Sequence, residues 1–108
     1  MSSPCDTDKL ASGDFWLGAL VRSLAGHDAG RIYLVVGHDL NEYSQRLYLV
    51  DGHYRSWLSP KAKNPKQLQF LEQALDGESL WAIANLGEGS GAREAAVRSL
   101  IKRYCEGE

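Results

Sequence analysis

Seven basic side chains, Arg22, His27, Arg31, Arg55, Lys61, Lys63 and Lys66, supply the clearest chemistry in this sequence. Groups of this type bind anionic oxygens, phosphates above all, with a strength that falls as salt rises. The net charge of −2 over 108 residues argues against such a role only if charge is spread evenly. It is not: residues 15–70 hold seven Lys/Arg against four Asp/Glu, and the acidic excess lies in residues 1–14 and 71–108. A local patch, rather than the total, sets the field a partner meets. The alternative is a solvated face of mixed sign, with the acidic ends acting as solubilising charge. Interleaved with the basic residues are Trp16, Tyr33, Tyr48, Tyr54 and Trp57. These are either stacking surfaces for unpaired bases or the aromatic packing that strands favour in any case.

Catalytic and metal chemistry is poorly supplied. His27, His38 and His53 have irregular spacing with no cysteine or histidine partner close by, unlike a zinc site. Cys5 and Cys105 stand near opposite ends and form no Cys-x-x-Cys pair, so two reduced thiols are expected rather than a disulfide framework. No nucleophile elbow accompanies any Ser/His/Asp combination. Residues 87–92, Gly-Glu-Gly-Ser-Gly-Ala, lack the lysine and the spacing of a phosphate-binding loop and read as a hinge. The expectation is a protein that binds without catalysis and without a metal or cofactor. No run approaches the roughly eighteen apolar residues of a membrane span, and the start, Met-Ser-Ser-Pro-Cys-Asp, lacks a secretory pattern. A cytoplasmic location and no membrane partner are expected.

The elements that would position these groups follow from the apolar pattern. Residues 1–13 are polar, with Pro4 and Gly13, and read as a flexible leader. Residues 15–24 are apolar and end at a glycine-rich stretch, as a strand or a short buried helix; the glycine-rich end favours the strand. Residues 31–37, Arg-Ile-Tyr-Leu-Val-Val-Gly, are the clearest strand, with Ile32, Leu34 and Val36 on one face and Tyr33 and Val35 on the other. After a polar loop over 38–45, residues 46–50 read as a strand. Asp51-Gly52 then suggests a tight hairpin turn, with residues 53–58 returning. Residues 59–66, with Pro60, Pro65 and three lysines, suit a basic surface loop. Residues 66–74 remain open between a helix capped at Asn64 and a strand. Residues 79–86 suggest a short helix. Ala96, Val97, Leu100, Ile101 and Tyr104 repeat at helical spacing over 92–105, Ser90 is available as an N-cap, and Glu94, Arg98 and Lys102 form an i, i+4 ladder.

Val21-x-Ser23-x-x-Gly26-x-Asp28-x-Gly30-Arg31, followed by an apolar strand, resembles the KOW motif of ribosomal proteins and transcription elongation factors. Asp51-Gly52, Arg55, Pro60-Lys61, Lys63-Asn64 and Lys66-x-Leu68 look like the later landmarks of small bacterial KOW-domain proteins, related to KOW-bearing large-subunit ribosomal proteins. The likeness covers roughly residues 14–71. It implies a mainly β fold, an SH3-like barrel of about five strands, followed by a helical extension over residues 72–108. It also implies that residues 67–71 form a strand. Gly26 and Gly30 would then allow a tight first loop whose amides approach a phosphate, with Asp28 bonding loop amides. Asp51 and Gly52 would serve a second structural turn. The sequence departs from the motif at His27 and Ala29, where a basic residue and a lysine are common, so Arg31 is the loop's one permanent charge.

The function expected from the resemblance is RNA binding by an accessory protein, in contact with ribosomal RNA or a ribonucleoprotein through the first loop and residues 60–66. The final helix, with Arg93, Arg98, Lys102 and Arg103, would extend that footprint only if it packs beside residues 61–66. The reduced charge of the first loop favours the alternative, a protein-interaction module in a ribosomal or transcriptional complex.

Overall fold

A computed structural model of the chain describes residues 16–40, 45–86 and 91–107. Five strands follow in order: β1 (Ala19–Ser23), β2 (Ile32–Leu40), β3 (Gln45–Val50), β4 (Lys61–Lys63) and β5 (Leu68–Gln73). A 3₁₀ turn (Pro65–Gln67) precedes β5, and two helices end the chain, α1 (Gly77–Ala84) and α2 (Ala92–Gly107). The leader over residues 1–13 and the proposed cap at Ser90 lie outside the described residues.

The strands form one antiparallel sheet in the order β4-β3-β2-β1-β5. Neighbours in sequence pair through β4, and β5 returns to the far side of β1. Residues 15–24 are therefore strand in their second half. β1 sits between β2 and β5 with Ala19, Leu20 and Val21 all fully buried, which explains why its sequence shows an apolar run instead of alternation. In β2 the expected division holds: Tyr33 and Val35 join Val21, Leu47, Leu49 and Leu68 in one core cluster. Ile32, Leu34 and Val36 belong to the other, with Leu20, Val50, Leu80 and Val97. The β2–β3 register shifts between Val35 and Gly37, and the β1–β5 register shifts between Leu20 and Val21. Such irregularities bend and twist a sheet. Bending matters here because both faces are buried: the helices cover one, and among the described residues Trp16 and Leu17 are the partly buried hydrophobics packed against the cluster on the other.

Four expectations need correction. The polar loop expected over 38–45 is shorter, because β2 continues to Leu40 and β3 begins at Gln45. Asp51-Gly52 does not make a two-residue hairpin, and residues 53–58 are not a strand. Asp51 Oδ1 instead accepts from the amides of His53, Tyr54 and Arg55, each at 2.8 Å, and three donors on one carboxylate oxygen hold a wide loop open. The returning strand is β4, inside the segment expected to be a loop; its place at the sheet edge accommodates the prolines on either side of it. The ambiguous residues 66–74 divide: Asn64 Oδ1 caps the 3₁₀ turn by accepting from the Lys66 amide at 2.8 Å, and a strand follows at Leu68.

Asp76 caps α1 by accepting from the Ser79 amide at 2.7 Å. The helical spacing expected for the last segment is realised in α2, where Val97 is fully buried and Leu100, Ile101 and Tyr104 pack on the same cluster. Among the described residues no helix is long and apolar enough to cross a membrane. Val97→Ala is expected to lower the unfolding free energy by about 2 kcal/mol, measured by urea titration, because it leaves a cavity between α2 and the sheet. A loss under about 0.5 kcal/mol would mean that α2 is not docked in solution.

Candidate nucleic-acid interface

The β1–β2 loop, residues 24–31, carries the motif residues. Gly26 and Gly30 have φ of 87° and 91°, angles that an L side chain rarely adopts, and they let the chain reverse. The amides of Ala29, Gly30 and Arg31 are committed to the carbonyls of Gly26, Ser23 and Asp28, so the turn itself consumes them. Asp28 does not bond loop amides through its side chain. Its carboxylate turns inward, with Tyr33 Oη donating at 2.8 Å, Lys63 Nζ at 3.1 Å, and the Ser23 hydroxyl 2.9 Å away. Lys63 Nζ also donates to the Ala25 carbonyl at 3.0 Å. Both members of the ion pair are more than nine-tenths buried, at 8% side-chain exposure each.

This cluster removes Lys63 from the set of cations available to a partner. Burial would raise the Asp28 pKa, but hydrogen bonds from Tyr33, Ser23 and Lys63 and the ammonium charge outweigh it and hold the carboxyl well below the usual range. Burial, with the facing carboxylate, pushes the Tyr33 phenol up to about 12. The cluster therefore stays ionised at Asp28 and neutral at Tyr33 across physiological pH. Its evident work is to pin the loop to β2 and β4.

The remaining cations separate. Arg22 is half-buried in β1, opposite Ile32 and Gln69. His27 is exposed at the loop tip. Arg55 is half-buried, and its carbonyl accepts from the amides of Asp51 and Gly52. Lys61 is half-buried where β4 begins, and Lys66 is exposed in the 3₁₀ turn. Arg31 is exposed, and its guanidinium lies 4.3 Å from the centre of the Tyr54 ring.

At Arg31 the site acquires groups from elsewhere in the chain. The expected Glu94–Arg98–Lys102 ladder gives way to docking contacts. Arg98 Nη1 donates to the Gly52 carbonyl at 2.6 Å, and the Trp57 amide donates to the Glu94 carboxylate at 3.3 Å, which seats α2 against the 51–60 loop. Lys102 lies 3.9 Å from Glu106, both exposed. Between the β1–β2 loop, the 51–60 loop and α2 runs a groove of about 500 Å³, with Arg31, His53, Tyr54, Arg98 and Lys102 on its walls. Ile32 and Ile101 supply apolar lining. The lining contains one carboxylate, Asp51, whose Oδ1 is already held by three amides. The helix thus extends the basic surface, but beside Arg31 rather than beside residues 61–66. Arg93 does not contribute; it is buried, with its guanidinium 5.8 Å from the Trp57 ring centre.

Of the five aromatic candidates, Tyr33 is in the core, and Trp16, Tyr48 and Trp57 are half-buried. Tyr54 is 68% exposed and is the one that lines the groove. His53, considered in the sequence only as a metal ligand, stands beside it with ring centres 5.0 Å apart. Asp51 followed by Gly is the local signal of a turn in which an aspartate accepts from the next amides, but nothing local places the two rings at this groove. No protein-family model and no curated protein sequence matches the chain.

Proposed function

We propose that this chain is an RNA-binding accessory protein, built on an SH3-like barrel of the KOW type, that acts by holding RNA or a ribonucleoprotein without covalent chemistry. The observation that carries this reading is the groove: three permanent cations and an exposed tyrosine converge there against one carboxylate. Aromatic rings interleaved with cations are the groups that neutralise phosphates and stack bases. The return of β5 beside β1 after a 3₁₀ turn supports the barrel reading, as does a β1–β2 loop reversed at Gly26 and Gly30. Ribosomal RNA is the partner that the resemblance suggests.

Affinity for a labelled RNA should fall steeply with salt, and Arg31→Gln should weaken it by roughly fivefold to tenfold at moderate salt while reducing the log–log salt slope by about 1. The measurement is fluorescence anisotropy across 50–300 mM potassium chloride, with ribosome co-sedimentation before and after ribonuclease as the cellular counterpart. An unchanged slope in Arg31→Gln would rule out a phosphate contact at this residue.

A second reading has its own observation: Trp81 on α1 and Leu58 in the 51–60 loop are 69% and 71% exposed, and exposed aromatic side chains are enriched where proteins meet. They favour a protein contact within a larger complex. Co-sedimentation that survives ribonuclease and is lost in Trp81→Ser would select this reading over the first.

A further inference from the structure

We propose that the groove takes one unpaired nucleotide of a single-stranded RNA, with the base against its apolar lining and the adjoining phosphates on Arg31 and Lys102; this rests on the RNA-binding reading above. The argument starts from what lies between the cations. A surface that met only a phosphate backbone would be polar throughout, whereas this groove has Ile32 and Ile101 between its charged walls. Its volume of about 500 Å³ falls within the roughly 300–1,000 Å³ of pockets that enclose a small organic ligand.

A duplex has nothing to place in such a depression. Its bases are paired and stacked, and an A-form helix presents riboses and phosphates to a protein. An unpaired base has two free faces and an unsatisfied edge. Tyr54, with the Arg31 guanidinium 4.3 Å from its ring centre, gives the groove wall an aromatic ring on which such a face can stack, and the neighbouring cation is left for a phosphate. Arg98 is the edge reader: one of its N–H groups is fixed on the Gly52 carbonyl at 2.6 Å, which holds the fork in place and leaves further donors on the guanidinium. Lys102 is highly exposed, and its contact to Glu106 at 3.9 Å is too weak to compete with a phosphate.

The exposed thiol of Cys105 lines the same groove and reports on its occupancy. The test uses the full chain and a labelled mixed-sequence 12-nucleotide RNA, either single-stranded or annealed to its complement. Single-stranded RNA is expected to bind at least about tenfold more tightly than duplex. Tyr54→Leu should weaken single-stranded binding by about tenfold and leave duplex binding within about twofold. In a Cys5→Ser background, saturating single-stranded RNA should slow alkylation of Cys105 by a maleimide several-fold, and the duplex should not. Equal affinity for both forms, equal losses in Tyr54→Leu, or an unprotected Cys105 under saturating single-stranded RNA would overturn the groove assignment while leaving RNA binding intact. No binding of either form would overturn both readings. Protection of Cys105 by mononucleotide at the same nucleotide concentration would assign the groove to a free nucleotide instead.

Discussion

Lys63→Met is expected to lower the unfolding free energy by about 3 kcal/mol at pH 7, the low end of the range for removing one partner of a buried ion pair. The variant keeps an apolar stem of similar length, so the loss isolates the ammonium. What remains is the Asp28 carboxylate, more than nine-tenths buried, with Tyr33 Oη at 2.8 Å and the Ser23 hydroxyl at 2.9 Å as its side-chain donors. The double variant Lys63→Met/Asp28→Asn should regain most of the loss, because a neutral amide needs no counter-charge. Urea titrations of the four proteins in this cycle give the coupling directly. Coupling below about 0.5 kcal/mol would mean that the pair is solvated in solution.

The same cluster sets two pH limits. Asp28 titrates lower in the folded chain than its ordinary 3.8, so its contribution to stability is complete above that value and declines as pH falls through and below it. Wild-type stability should therefore drop more steeply than that of Asp28→Asn below about pH 4. Tyr33 is shifted the other way, from 10.0 to about 12. Its protonated form is favoured on folding, so its contribution is intact below pH 10 and is lost as pH rises from 10 towards 12. Tyr33→Phe should remove that alkaline slope.

How much of this was legible in the sequence depended on whether the signal was local. The alternation of residues 32–36 and the spacing of Val97, Leu100, Ile101 and Tyr104 state the period of a strand and of a helix, and both elements form. Gly26 and Gly30 likewise carry their own reason, since both occupy positive φ. Lys63 shows where a local reading stops. Flanked by Lys61, Pro60 and Pro65, it has the sequence setting of an exposed loop lysine. Only the β3–β4 register, which pairs it with core residue Leu47, turns its side chain towards Asp28, thirty-five positions earlier. The i, i+4 ladder failed for the same reason. Glu94 and Arg98 had stronger partners in the backbone of the 51–60 loop, and a paired surface ladder contributes only about 0.3–0.5 kcal/mol per contact. The groove draws on the β1–β2 loop, the 51–60 loop and α2, so no window of sequence contains it.

The seat of α2 gives the other large effect. Gly52→Ala is expected to destabilise the protein by about 3 kcal/mol, combining roughly 1 kcal/mol for a side chain at positive φ with about 2 kcal/mol of overpacking. At φ 75° the added Cβ would lie 2.5 Å from the Glu94 carbonyl oxygen and 2.8 Å from Arg98 Cγ. Neither can retreat without moving the helix, because the first is backbone and the second belongs to a side chain tied to the Gly52 carbonyl. Gly30→Ala is the control: φ is 91°, but nothing lies within 4 Å of the new Cβ, so the cost there should be near 1 kcal/mol. Thermal unfolding followed by circular dichroism compares the two, and equal losses would show that α2 does not rest on Gly52. If α2 does shift, Arg98 and Lys102 move away from Arg31 and Tyr54, and the groove loses a wall with no charge removed. Gly52→Ala should then weaken single-stranded RNA binding at temperatures where the protein remains folded. The helix is in that case part of the binding surface as well as of the core.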